Sequence, residues 1–315
     1  MEEEPQSCVW TFTGLDNVDM GGHEEVDLGG GFFLSKSTPA LLSVRSRQDL
    51  SGRQFDQMGA LRCFLIHRAS FPSLRGPDRY KKIDHFQSGL MALQVLKPLK
   101  TFGIIFQASE VKTDRLNLET GCNRPPMDPG EWAGARRFDA EFISQAPQAI
   151  QNVLRVMNGT AAEPKNAINS LQLGLEHFHP LVAGLLFVMG LEAVFDSEGR
   201  HDFRNKLCKC LGESRRVFPN WGSPTYSPPD YTVGQVAIDL YMLRNKIAHG
   251  IDLKTAAFDK KTPVDLLKKV SLTHDLPIRP YCLLLSEAAL YLLCAVIRKQ
   301  VLARYWADDR LAALM

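Results

Sequence analysis

In the last third of this 315-residue chain, Tyr241-Met242-Leu243-Arg244-Asn245-Lys246-Ile247-Ala248-His249-Gly250 sets an arginine, an asparagine and a histidine close together. An arginine fork holds phosphate oxygens at two points, and a histidine moves a proton near neutral pH. Together they suffice to handle a phosphodiester without a metal. The helix that must carry them is visible upstream. Val233, Val236, Ala237, Leu240, Leu243 and Ile247 recur at three-and-four spacing, which predicts one core-facing stripe. Thr232 or Asp230 can cap its start, and Gly250 stands where a left-handed residue ends it. At about 100° per residue, Arg244 projects into the stripe, while Asn245 and His249 share another face. An arginine so placed needs a carboxylate or a ligand anion. A histidine in the last turn stands at the negative end of the helix dipole, a favourable place for a cationic ring.

Arg244-Asn245-x-x-x-His249 resembles the R-x4-6-H signature of HEPN domains, with its polar residue directly after the arginine. The wording from Leu243 to Gly250 is especially similar to the ApeA-like branch of that family. The resemblance covers about 163–305. It implies a metal-independent endoribonuclease without a cofactor, usually a homodimer whose two motifs face each other in a composite active site. It also implies catalytic roles for Arg244, His249 and Asn245 on an RNA substrate, and a role in defence or as a toxin-type effector. The plain structural alternative is an arginine tied to a buried carboxylate and a histidine that merely closes a helix.

Composition narrows the rest. Hydrophobic residues make up 45% and charged residues 23%, ordinary for a globular chain, and the formal net charge of +2 provides no global field for nucleic acid. Any RNA would have to be gripped locally. Seven scattered cysteines do not form a disulfide framework, and Cys208-Lys209-Cys210 lacks a second pair of ligands at zinc spacing. Met1-Glu2-Glu3-Glu4 does not read as a signal peptide. Leu181–Phe195 is short and contains Glu192, and Tyr281–Ile297 contains Ser286 and Glu287, so both read as buried helices rather than membrane spans. A cytoplasmic protein is expected.

The first part, 1–135, reads as an α+β domain with a mainly antiparallel sheet, serving as sensor or regulator for some trigger or partner. Strand-like pieces lie at 9–13, 31–34, 61–66 and 102–106, with a turn at Gly29-Gly30-Gly31 and a helix over Ile83–Leu96. The glycine triplet is no phosphate loop, since neither Lys-Ser/Thr nor G-x-G-x-x-G accompanies it. Arg75, Arg79, Lys81 and Lys82 read as a solvated run. A connecting helix and linker follow over 136–162, with Pro147 expected to kink or split the helix.

The remainder, 163–315, reads as an all-α, HEPN-like bundle of about five helices. Leu181–Phe195 is apolar nearly all round and is expected to be the enclosed central helix. Its Glu192 and the distant Arg244 are two charges on core-facing positions, and they are expected to pair, with Glu192 supporting the arginine. Lys246, Arg204 and Tyr241 are candidate RNA contacts. The loop 216–231, with Trp221, Tyr226 and Tyr231, offers either stacking surfaces for bases or a lid on the core. Glu176-His177-Phe178-His179 has no third ligand nearby. Two rivals to a nuclease remain: a non-catalytic HEPN dimerisation or partner-binding module, and a nucleotide-binding regulator.

Overall fold

The computed structural model describes residues 7–16, 18–37, 61, 63–71, 78–97, 99–101, 105–109, 139–177, 179–218, 230–250 and 280–302. Two compact units divide the chain: 1–128 with 136–158, and 129–135 with 159–315.

The first unit is built on a six-stranded sheet in which every pairing is antiparallel. Its strands are β1 (Ser7–Asp16), β2 (Glu25–Gly29), β3 (Phe32–Ser35), β4 (Cys63–Phe71), β5 (Lys100–Thr101) and β6 (Phe106–Ser109). The order is β2-β3-β4-β1, with β5 and β6 both on the far edge of β1. Residues 102–106 read as one strand from sequence; pairing instead falls on either side of 102–104, which lie outside the described residues. Acidic β2 escaped that reading, because only Val26 and Leu28 alternate in it. Gly29, Gly30 and Gly31 do make the β2–β3 turn, with φ of 78°, 62° and 82°. Side chains rarely adopt such angles, and a Cβ on Gly31 would also meet the Arg68 carbonyl at 2.5 Å.

Helix α1 (Asp78–Leu96) buries Phe86, Leu90, Leu93 and Leu96, as their spacing predicts. It lies close to β3: a Cβ on Gly89 would meet the Phe32 ring at 2.3 Å. Helix α2 (Ala140–Asn158), read as a connector, packs along α1 and reaches β2, inside the first unit. Pro147 does not split it. Side chains of the basic run 75–82 and the stretch 122–134 lie outside the described residues.

The second unit is helical: α3 (Ala162–Leu175), α4 (Pro180–Phe195), α5 (Arg200–Leu211), α6 (Val233–Ala248) and α7 (Pro280–Val296), which runs on as a π-helical segment, Ile297–Leu302. An antiparallel sheet followed by a mostly helical region is therefore the architecture, and five helices belong to the second unit among the described residues. Helix α4 is central, packing against α3, α7, α6 and α5. Close approach is allowed by glycines: Gly174 faces Phe187, Gly184 faces Ser286, and Gly190 faces Leu293 and Ser170. The helix is not fully enclosed, however. Met189 is 45% exposed, so an apolar face lies open where complete burial was expected. Most of the loop 216–231 and the stretch 252–275 lie outside the described residues, although Tyr231 itself is buried. Among the described residues, no single helix is long and apolar enough to cross a membrane.

Candidate active site

The site is assembled by α6 against α4. Thr232 is the N-cap, and its backbone N–H donates to Gln235 Oε1 at 3.0 Å, half of a capping box. Asp230, the other capping candidate, pairs with Arg216 instead. Val233, Val236, Ala237, Leu240 and Leu243 are buried, so the stripe read from spacing is the packed face. The helix closes at His249, whose N–H donates to the Asn245 carbonyl at 3.0 Å. Gly250 follows with φ of 64°, the left-handed stop its position predicts.

Arg244 and Glu192 meet, as their placement on two core-facing stripes predicts: Arg244 Nε donates to Glu192 Oε2 at 3.0 Å. Asn245 Oδ1 accepts from Arg244 Nη1 at 2.6 Å. Tyr241, one turn back, places its ring 5.8 Å from the guanidinium carbon and packs in turn on buried Phe203. Three neighbours thus fix the arginine, and among the described residues nothing bonds Nη2. That amine and the second Nη1 hydrogen form the end open to an anion.

Asn245 engages the arginine here rather than the ring of His249, with which it shares a helix face. His249 is exposed, and its ring makes no hydrogen bond among the described residues. At about 100° per residue, His249 is roughly 140° around the axis from Arg244. Both groups sit at one helix end, yet they look in different directions.

Burial pushes the Glu192 carboxyl above the usual carboxylate range, while the charge and hydrogen bond of Arg244 pull the other way and lose. At 34% exposure for the arginine side chain and 17% for the glutamate, this is a half-buried pair, well short of a dry one. Its net worth to stability is accordingly small. A raised folded-state value means that stability is fullest below the unfolded carboxylate range and is lost as pH rises through the folded value. Glu192→Gln keeps an acceptor for Arg244 Nε and removes that titration. Chemical denaturation is therefore expected to place the variant within about 1 kcal/mol of wild type at pH 7. The difference should move in favour of the variant as pH rises through the usual carboxylate range and above it. A loss near 3–5 kcal/mol, the order seen when a fully buried pair is broken, would contradict this.

The candidate RNA contacts fare differently. Tyr241 and Lys246 are half-exposed beside the motif. Arg204 is held in an ion pair with Glu213, so its charge is already matched. The His177/His179 pair is local: His177 Nδ1 accepts from the His179 N–H at 3.2 Å. Among the described residues no group of three or more His, Cys, Asp or Glu is placed to hold a metal.

The sequence reading missed Asp239, which is 1% exposed on α6. Burial, with the nearby Asp239 charge second, raises the Tyr231 hydroxyl. The signal was available: Asp239 follows Val236 by three and precedes Leu243 by four, inside the stripe itself.

Against known proteins, the chain matches no family model, no curated protein and no solved structure.

Proposed function

We propose that the second unit is a HEPN-type, metal-independent endoribonuclease acting inside the cell. The observation that carries this reading is Arg244, held between Glu192 and Asn245 with its outer amine open, on the helix end that presents an exposed His249. The ribose 2′-oxygen attacks the adjacent phosphorus and gives up its proton; the bond to the 5′-oxygen breaks, and that oxygen takes a proton. The products are a 2′,3′-cyclic phosphate and a 5′-hydroxyl. His249 serves as base or acid, and Arg244 stabilises charge growing on the phosphoryl oxygens. Asn245 holds the guanidinium in place. The angle between Arg244 and His249 favours a site completed by a second copy, in which the arginine of one chain and the histidine of the other reach one phosphate. Control by the first unit, by a trigger or by a regulatory partner suits a nuclease that would otherwise damage its own cell.

The 2′-hydroxyl is the nucleophile, so a strand carrying a 2′-O-methyl group at the scissile ribose should bind and stay intact. An all-DNA strand should also stay intact. Cleavage of either by wild type but not by His249→Ala would refute the mechanism.

The second reading is a non-catalytic HEPN module for dimerisation or partner binding. It draws on the open apolar face at Met189, which suits a protein contact. An RNA-binding protein in which His249→Ala changes nothing would support it.

A further inference from the structure

Two histidines of the first unit meet in a place that none of this chemistry uses. His67 on β4 is 5% exposed, and its ring centroid lies 4.8 Å from that of His85 on α1. Phe32, the residue paired with His67 across β3 and β4, lies against both, at 4.4 Å and 5.5 Å. The His67 ring also lies against the β2–β3 turn, where a Cβ on Gly31 would stand 3.5 Å from its Cδ2 and Nε2. One residue on, the Arg68 N–H donates to the Gly31 carbonyl at 2.8 Å. The turn is therefore tied to β4 by that amide, with the imidazole packed beside it. There is no slack in it, since Gly31 cannot carry a Cβ there and Gly89 already touches Phe32.

Among the described residues no anion is paired with these rings. Across the sheet from His67, β1 presents buried Thr11. The turn presents Gly30, and β3 presents Phe32. From α1, Asp84 is exposed beside His85. From β2, Asp27 is engaged with the Gly29 N–H at 2.7 Å. On the other face of β4, Arg68 lies over Trp10 at 4.8 Å. Protonating both imidazoles would place two like charges in contact under an apolar ring.

We propose that His67 and His85 form an acid-operated latch: neutral, they hold the β2–β3 hairpin onto β4 and α1, and charged, they release it. Burial, with the neighbouring His85 second, lowers the His67 value to about 4, and burial lowers that of His85. Both shifts favour the neutral, closed form. Closure is therefore complete above the unfolded histidine value and is lost as pH falls towards the folded one.

The test is hydrogen exchange of the full chain, read as the protection factor of the Arg68 amide, with the Val217 amide of the second unit as reference. Between pH 7.5 and 4.5, a value lowered from 6.5 to about 4 favours the open hairpin by about 70-fold. Arg68 protection should fall by that order relative to Val217. His67→Gln keeps a polar side chain beside the turn and cannot titrate, so it should abolish the fall. His85→Gln removes the second charge and should reduce it. A fall below about threefold in wild type, or an undiminished fall in His67→Gln, would overturn the latch. Should His67→Gln not fold, the imidazole titration of wild-type His67 decides: a midpoint near 4 supports the latch and one near 6.5 overturns it.

Discussion

Replacing Arg244 by lysine is expected to lower RNA cleavage by about 10²–10³-fold while leaving the fold intact. The arginine is used at three points at once. Its Nε meets Glu192, its Nη1 meets Asn245, and in the proposed reaction its outer amine meets a phosphoryl oxygen. A lysine has one nitrogen on a flexible stem, so it can satisfy Glu192 or reach the substrate, but not both. Stability should change little, because the side chain is about one-third exposed and a cation still faces the carboxylate. His249→Ala should cost a similar factor through the proton transfer, again without loss of stability, because the residue is exposed and its ring makes no hydrogen bond among the described residues. Rates on a fluorescent RNA, set beside melting curves, separate the two effects. If Arg244→Lys kept full activity, the guanidinium geometry would have no part in the reaction.

The largest expected effect on stability lies two turns before Glu192 on α4, where Gly184 meets α7. Gly184→Val should cost about 3 kcal/mol. A Cβ at that position would come within 2.3 Å of Ser286 Oγ, 2.7 Å of its Cβ and 3.0 Å of its Cα. The hydroxyl is already committed to the Cys282 carbonyl at 2.9 Å, and the Cα cannot turn aside. Helix α7 itself would have to retreat from α4, opening a buried contact of the second unit. The gain in helix propensity on losing glycine, at most about 1 kcal/mol, is too small to offset this. Leu173→Ala is the control: Leu173 is 50% exposed, and its truncation should stay within about 0.5 kcal/mol. Urea titrations of both variants check the contrast. A Gly184→Val protein as stable as wild type would mean that α4 and α7 do not approach so closely.

The motif helix was legible because several independent signals coincide on it. A stripe from Val233 to Leu243, a capping threonine and a terminal glycine agree on the same limits, and the helix runs between them. The Glu192–Arg244 pair could be read for a related reason: two charges on apolar stripes of one bundle leave few other partners. The role of Asn245 was less visible. Spacing along a helix places it beside His249, whereas its amide turns back to the adjacent arginine, a choice of rotamer that no periodicity encodes. Strand β2 was hidden for another reason. Glu25, Asp27 and Gly29 have poor strand propensity, and the segment is extended because the three-glycine turn folds it against β3. The His67–His85 contact joins a strand to a helix distant in sequence, so neither residue announces it alone.

The most direct measurement of the central claim incubates purified wild type and His249→Ala with structured and single-stranded RNAs in EDTA, and reads the product ends by mass. The reading predicts 2′,3′-cyclic phosphate and 5′-hydroxyl ends from wild type and intact RNA from the variant. Equal cleavage by both proteins, or products ending in a 5′-phosphate, would contradict it.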